Sequence, residues 1–597
     1  MKLLVPQTSA LREADARLAR LAEFLGITWE PLFLDGCSGD SVDYVAKAFL
    51  DQCSCFVVNP DVIRDWTGGV VPADLVPRLA SHFPCLLVHA LRAGDPFHAS
   101  LIKALSGDHL QCAQTIEDGP RLYEIASDSG DICGPFAGLS FGPANFANDR
   151  ILISNGKIGA VRTPISIGGR PFMAVMKREQ AKVFFLASAD VLDVSLEIGD
   201  KPLSAYFSRF VPYAMALRSI FGEHSWRPSG HYASFIIDDP LLRPTYGYFA
   251  FEPLLNLMRE FNFATTVAFI PHNYRRNSTR VLRMFHENRD RLAICFHGND
   301  HTSAELASTD VLRLNTMMRI AEARMDAHAD ATGVRCPRVM VFPQEKFSVE
   351  CMQVLKSRNF VAAVNAGPHP AGCRAALTIG EFAQPAILRY GNFPLFLRHY
   401  VGYLKREDIA FNLFFGRPVL IVEHHDIFRR VEALIDAVLM INKIAPDIQW
   451  VSLETAVINS ALRRRTTDGV YHLRAYSGTV RVANDQTVPR PVLVEWKHSA
   501  QCPRVEQVLQ NRRPSHSYEI DDSGIRLCGV LGPRNCQTFS VLYRNGYSSL
   551  GSLGLWWNTK AYLRRRLCEL RDNRVSKNQF ASVLARALQR SIWPKSL

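Results

Sequence analysis

Short apolar bursts alternate with stretches whose apolar positions return every three or four residues, and this rhythm opens the chain. The runs at 2–5, 29–33, 55–58 and 84–89 read as strands, and those at 10–24 and 42–50 as helices. Such alternation predicts an open parallel α/β sheet, flavodoxin-like or Rossmann-like, over residues 1–130. No GxGxxG or Walker-type glycine loop follows the first strand, so this region has a fold class and no chemistry of its own. Turns and β-rich runs (150–154, 171–176, 182–187) then dominate, and a helical stretch at 203–221 leads to Trp226-Arg-Pro-Ser-Gly, a boundary. Residues 131–228 therefore read as a β-rich connector completing the N-terminal region.

From 232 to 462 the rhythm changes. Strand candidates recur at 232–237, 265–270, 292–296, 338–342, 360–364, 419–422 and 449–452, with helices between most of them, notably 252–261, 303–329, 349–358 and 429–444. This pattern predicts a closed or nearly closed (β/α)7-8 barrel at 229–465, whose chemistry would sit at the carboxyl ends of its strands. Beyond the arginines at 463–465 helices give way to alternating and β-branched runs, a β-sandwich over 466–555. A basic helical tail at 556–597 follows. The fold class is α/β multidomain.

Composition narrows this picture. With 47% hydrophobic and 21% charged residues the chain is an ordinary globular protein, and at 597 residues it needs several cores. No apolar run nears the length of a membrane span, and the N-terminus lacks a signal-peptide pattern, so a cytoplasmic location is expected. The 14 cysteines include no CxxC pair, which favours reduced thiols over disulfides or a structural zinc ribbon. Cys53 and Cys55, beside a strand, read as packing thiols. The net charge of +12 is concentrated late, with ten Lys/Arg against two Asp/Glu from Trp556 to Leu597. The Arg564-Arg565-Arg566 run reads first as a solvated helix face, with anionic lipid or an acidic glycan as its functional alternative; nucleic acid is not expected.

Three strand candidates end in ionisable side chains. The first ends in Asp238-Asp239, the third in His297-Gly-Asn-Asp-His301, and a late one in Glu423-His424-His425-Asp426. One helical turn starting at the strand end would put His297 and His301 on one face. Two imidazoles and a carboxylate with open positions form the ligand pattern of a catalytic divalent ion. An adjacent second aspartate can accept a proton from water, and a histidine can donate one. Asp300 and Glu423 read as a turn cap and an ion-pair partner, and His231, His272 and His286 as ordinary structural histidines.

These motifs resemble the polysaccharide deacetylase family, the NodB-homology carbohydrate esterases, over roughly residues 231–462. Phe235-Ile-Ile-Asp238-Asp239, His297-Gly-Asn-Asp-His301-Thr302 and Val422-Glu-His424-His425-Asp426 carry the likeness, with Trp450-Val-Ser-Leu-Glu-Thr-Ala as the closing element. The resemblance implies a NodB-type barrel that removes N-acetyl groups from an amino-sugar glycan, or from a lipid- or nucleotide-linked precursor. Asp238 would be the general base, and Asp239, His297 and His301 the ligands of a divalent ion, zinc first, with cobalt, nickel or manganese as alternatives. The general acid would be His424 or His425, with His425 preferred because Asp426 follows it. Three departures stand out: Pro240 follows the aspartate pair, no arginine stands beside Pro343 where the third motif supplies one, and the fourth motif, an Asp with a following Trp, is not found. Lys346, Arg389 and Arg398 are the candidate replacements. The missing arginine supports a non-catalytic glycan-binding reading as an alternative, and a metal-dependent esterase or amidase is another. A nucleotide-sugar site in the N-terminal region is a third. Tyr246, Tyr248, Tyr274 and Trp450 are expected near the barrel mouth, where they could stack on sugar rings.

Overall fold

The computed structural model describes residues 2–8, 10–34, 53–116, 121–145, 147–155, 161–302, 304–499, 502–522, 524–549 and 551–575. The expected helix at 42–50 and the tail beyond 575 lie outside the described residues.

The N-terminal strands are parallel as expected, but they are only half of their sheet. Trp29–Phe33, Lys2–Gln7, Cys53–Val58, Cys85–Val88 and Ala181–Leu186 lie side by side and parallel. Arg170–Arg178, Arg162–Ile167, Tyr123–Ile125 and Ser140–Phe141 extend the sheet antiparallel. The two regions drawn at 1–130 and 131–228 thus share one mixed sheet. Pairing turns from parallel to antiparallel at the hairpin between Arg170–Arg178 and Ala181–Leu186. In the next hairpin the turn residues Gly168 and Gly169 both take positive φ, a conformation that costs glycine little. Helix Phe207–Phe221 joins this sheet to the centre of the molecule. Phe210 stacks on Phe415 at 5.0 Å, and the Arg218 guanidinium lies 4.4 Å from the centre of the Phe414 ring.

The central strands form a parallel sheet in the order Leu395–Leu397, Ala362–Asn365, Val339–Val341, Leu292–Phe296, Thr265–Phe269, Tyr232–Asp238, Val419–Glu423, His399–Tyr400. Its two outermost members belong to a single extended stretch broken at Arg398. The first half pairs with Ala362–Asn365 and the second with Val419–Glu423. Helices cover the outer face, so both faces are buried and the strands are apolar almost throughout, as parallel sheets demand. Ile236, Ala268, Cys295, Val341, Val364 and Val422 pack together inside. Phe235, Ile237, Val267 and Phe269, the alternate residues, join the outer core.

Two further sheets share the core that includes Val480, Val494, Trp496, Leu527 and Phe539, in the region expected to be a β-sandwich. In Cys536–Tyr543 every second residue is buried, the period of a half-solvated strand. Helix Leu555–Leu570 then returns to the carboxyl edge of the central sheet. Among the described residues no helix is long and apolar enough to cross a membrane.

Candidate functional site

Strand Tyr232–Asp238 delivers the acidic pair. Ile236 faces the inner core, so Asp238, two residues on, lies on the same face at the strand's carboxyl end. Its two oxygens accept hydrogen bonds from Arg398 Nη1 and Nη2, both at 2.8 Å. Both side chains are essentially fully buried. Of the three candidate replacements for the third-motif arginine, Arg398 is therefore the one at the aspartate, whereas Arg389 lies 3.4 Å from Glu381. Burial pushes the Asp238 carboxyl up, but Arg398 and His297 outweigh burial and hold it below its ordinary value.

The histidine motif is built differently from the expected helical turn. Residues 297–302 form a loop around one buried carboxylate, that of Glu305. The backbone N–H groups of Asn299 (2.8 Å), Asp300 (3.2 Å), His301 (2.9 Å) and Thr302 (3.2 Å) all donate to it. Gly298 (φ +66°) and His301 (φ +54°) are left-handed, which rules out the helix. A Cβ on Gly298 would fall 2.3 Å from Glu305 Oε1, so only glycine lets the loop close on its carboxylate.

Asp239, at φ +79°, leaves the strand and turns toward both imidazoles. Its Oδ1 lies 3.6 Å from His297 Nε2 and 3.4 Å from His301 Nε2, and one ligand atom from each residue falls within 4.8 Å of the others. His297 Nδ1–H donates to the Val341 carbonyl at 3.0 Å, which leaves the Nε2 lone pair facing Asp239. Asp239 Oδ1 is buried without a hydrogen-bond partner. An orphaned carboxylate oxygen between two imidazole nitrogens suits a shared cation, and the oxygen-and-nitrogen donor set suits zinc or a related divalent ion. Burial lowers both histidines, His301 to about 4, and so favours the neutral imidazoles that ligation requires. Asp239 is held well below the usual carboxylate range: burial opposes this, but His301, His297 and Arg565 outweigh it.

The late motif puts its two histidines in different surroundings. Strand Val419–Glu423 pairs Val422 with Ile236 and Glu423 with Ile237, so His424 comes level with Asp238 on the inner face. His425 instead faces outward, between Tyr246 (5.5 Å) and Tyr248 (6.2 Å), with its Nε2 3.6 Å from Asp572. Alternation along the strand sets the two imidazoles on different sides of it, and the register brings His424 level with Asp238.

Asp572 belongs to the turn beyond helix Leu555–Leu570, and that segment supplies residues that the motifs did not reveal. Tyr246 donates its hydroxyl to Asp572 (2.6 Å), and Gly247 N donates to Asn573 (2.9 Å). Trp557 Nε1 donates to Asp300 (2.8 Å), and Arg565, buried, reaches the His301 carbonyl at 3.4 Å. Asp300 is fully buried and also accepts from Arg324 (2.6 Å) and His272 (3.0 Å). It ties the histidine loop to two helices rather than capping a turn. Glu423 accepts the Val401 N–H (3.1 Å) in place of an ion pair. His231 faces Asp447 (3.0 Å) and His286 faces the Thr332 carbonyl (2.9 Å), both structural contacts. Trp450 is misplaced by the expectation: it pairs with Ala233 at the amino end of the first strand, opposite the site. Tyr246 and Tyr248 do flank the carboxyl edge.

No protein-family model matches the chain, and no curated protein does. Among solved structures, 49 chains match. A family 4 carbohydrate esterase from Streptomyces lividans, in complex with acetate, is 12% identical, with 36% of this chain and 90% of that one covered at a TM-score of 0.22. The peptidoglycan deacetylase PdaC from Bacillus subtilis is 13% identical, with 38% and 90% covered at 0.23. A cytoplasmic protein from Salmonella typhimurium is 15% identical, with 37% and 99% covered at 0.24.

Proposed function

We propose that this chain is a metal-dependent deacetylase that hydrolyses the N-acetyl group of an amino-sugar glycan or glycan precursor. The observation that carries the reading is the coexistence of two neighbouring aspartates in different settings. Asp239 stands with its bare oxygen between two imidazoles, and Asp238 is ionised and clamped by Arg398. Asp239, His297 and His301 would hold the ion, with the Val341 carbonyl orienting His297. A bound divalent ion polarises the acetyl carbonyl and acidifies its water.

The chain's own groups supply the rest. Asp238 accepts the proton of the attacking water at its carboxylate, and Arg398 fixes the direction of that carboxylate. His424 protonates the departing nitrogen. The C–N bond breaks, and acetate and a free amine result. The absence of an arginine beside Pro343 favours a non-catalytic reading, whereas the two hydrogen bonds from Arg398 to Asp238 support the catalytic one. The test is acetate release from chitooligosaccharides by the zinc-loaded full chain, alongside matched acetyl esters. Asp238→Asn is expected to reduce the rate by about a thousandfold. No release by the loaded protein, or full release by Asp238→Asn, overturns the assignment, and exclusive cleavage of esters moves it to an esterase.

A further inference from the structure

Helix Leu555–Leu570 has two faces of different character. The inner face is committed to the candidate site through Trp557, Arg565 and Glu569, the last paired with Arg276. At 100° per residue, Trp556, Leu563, Leu567 and Leu570 fall within an arc of about 60° on the other side. Each of the four is between 48% and 80% exposed, and Leu555, near the edge of the stripe, is 84% exposed. An uncovered apolar stripe of this kind marks an interaction surface. Lys560 and Arg571 border it on one side and Arg566 on the other, all exposed. The two acidic residues of this segment, Glu569 and Asp572, lie toward the inner side, where they meet Arg276, Tyr246 and His425; they also pair with the bordering Arg566 (3.5 Å) and Arg571 (2.6 Å). The outer face therefore offers large apolar side chains bordered by the exposed Lys560, Arg566 and Arg571, with the acidic partners of the two arginines on the inner side.

The geometry points to an anionic lipid surface as the partner of this face, with Trp556, Leu563, Leu567 and Leu570 entering the headgroup boundary and Lys560, Arg566 and Arg571 meeting lipid phosphates. Exposed Trp and Leu rimmed by Lys and Arg is the composition of a helix that lies in the interface. Negative leaflet charge adds attraction for each basic residue near the surface. The inner face of the same helix touches Asp300 and the His301 carbonyl. One helix diameter, about 10 Å, thus separates the docked face from the histidine loop. On the deacetylase reading proposed above, the substrate is then an amino sugar presented at a membrane surface. The docking itself does not depend on that reading.

Flotation of the full chain with vesicles tests it. The protein is expected to float with phosphatidylcholine vesicles containing about one-third phosphatidylglycerol, and to stay behind with pure phosphatidylcholine. Leu563→Glu/Leu567→Glu should lower the bound fraction at least tenfold while acetate release from soluble chitooligosaccharides stays within twofold. Lys560→Glu/Arg566→Glu, which alters only exposed side chains, should do the same if the leucine variant fails to fold. No flotation with anionic vesicles, or equal flotation with neutral ones, overturns the proposal. A dimer in light scattering that dissociates in Leu563→Glu/Leu567→Glu, without vesicle binding, would make the face a contact between copies. Vesicle binding by a protein that releases no acetate would sustain the docking and sink the proposed reaction.

Discussion

Replacing Arg398 by methionine isolates the contact between the candidate base and its support. The native pair is buried on both sides and doubly hydrogen-bonded at 2.8 Å, so neither partner has water to fall back on. Removing one member of a buried ion pair costs about 3–5 kcal/mol, because the survivor remains as an unpaired charge in a dry site. Arg398→Met should therefore lose about that much in urea unfolding, and Asp238→Asn alone should lose a similar amount by stranding the guanidinium. The double variant leaves no buried charge, and its loss should fall short of the sum by about 2 kcal/mol or more. In the zinc-loaded protein Arg398→Met should also cost about a hundredfold in kcat, since a freely turning carboxylate no longer faces its water. Its zinc affinity should hold, because Arg398 touches none of the three ligands. A loss under about 1 kcal/mol for Arg398→Met, or strictly additive losses, would refute the argument that this pair is a coupled unit.

Three further outcomes follow from other contacts. Glu305→Gln puts an amide N–H where four backbone donors now converge, so zinc affinity should fall about 10- to 100-fold in calorimetric titration, with about 1–3 kcal/mol of stability lost. Gly298→Ala should cost about 2 kcal/mol or more in the same unfolding assay, because alanine pays for a left-handed backbone and meets the Glu305 carboxylate as well. In the late β-region, burial pushes the Glu495 carboxyl up, but hydrogen bonds from His472 and Arg474 outweigh burial and hold it at about 2. The folded carboxyl titrates below the unfolded one, so its contribution is complete above pH of about 4.5 and disappears as pH falls toward 2; it amounts to about 3 kcal/mol. Acid unfolding of wild type against Glu495→Gln measures it, and parallel profiles would contradict it.

The elements that carry the site were legible because strands and strand ends leave local marks. Apolar runs ending in Asp238-Asp239, His297 and His424 mark parallel strands with polar carboxyl edges. The strands before Asp239 and His424 are neighbours, and the one before His297 lies one strand further on, beyond Thr265–Phe269. What stayed hidden depends on contacts with no local period. The loop at 297–302 bends around Glu305 because one carboxylate collects four amides, and spacing alone suggested a helical turn instead. Arg398 was one of three equal candidates until the interrupted stretch between Leu395–Leu397 and His399–Tyr400 set it at Asp238. His424 and His425 are neighbours in sequence, and only the register with Ile236 and Ile237 tells them apart. Arg565 meets His301, and Asp572 meets Tyr246, from more than two hundred residues away. Their one visible mark was that Glu569 and Asp572 are the only acids in a basic tail.

The proposed reaction depends on one divalent ion shared by Asp239, His297 and His301. A crystal grown with zinc, measured on both sides of the zinc absorption edge, tests this most directly. The expected result is a single strong anomalous peak about 2.0–2.2 Å from the Asp239 carboxylate and from Nε2 of both histidines, with Asp238 beyond bonding distance. A map without that peak, or with the two imidazoles turned away from Asp239, would contradict it.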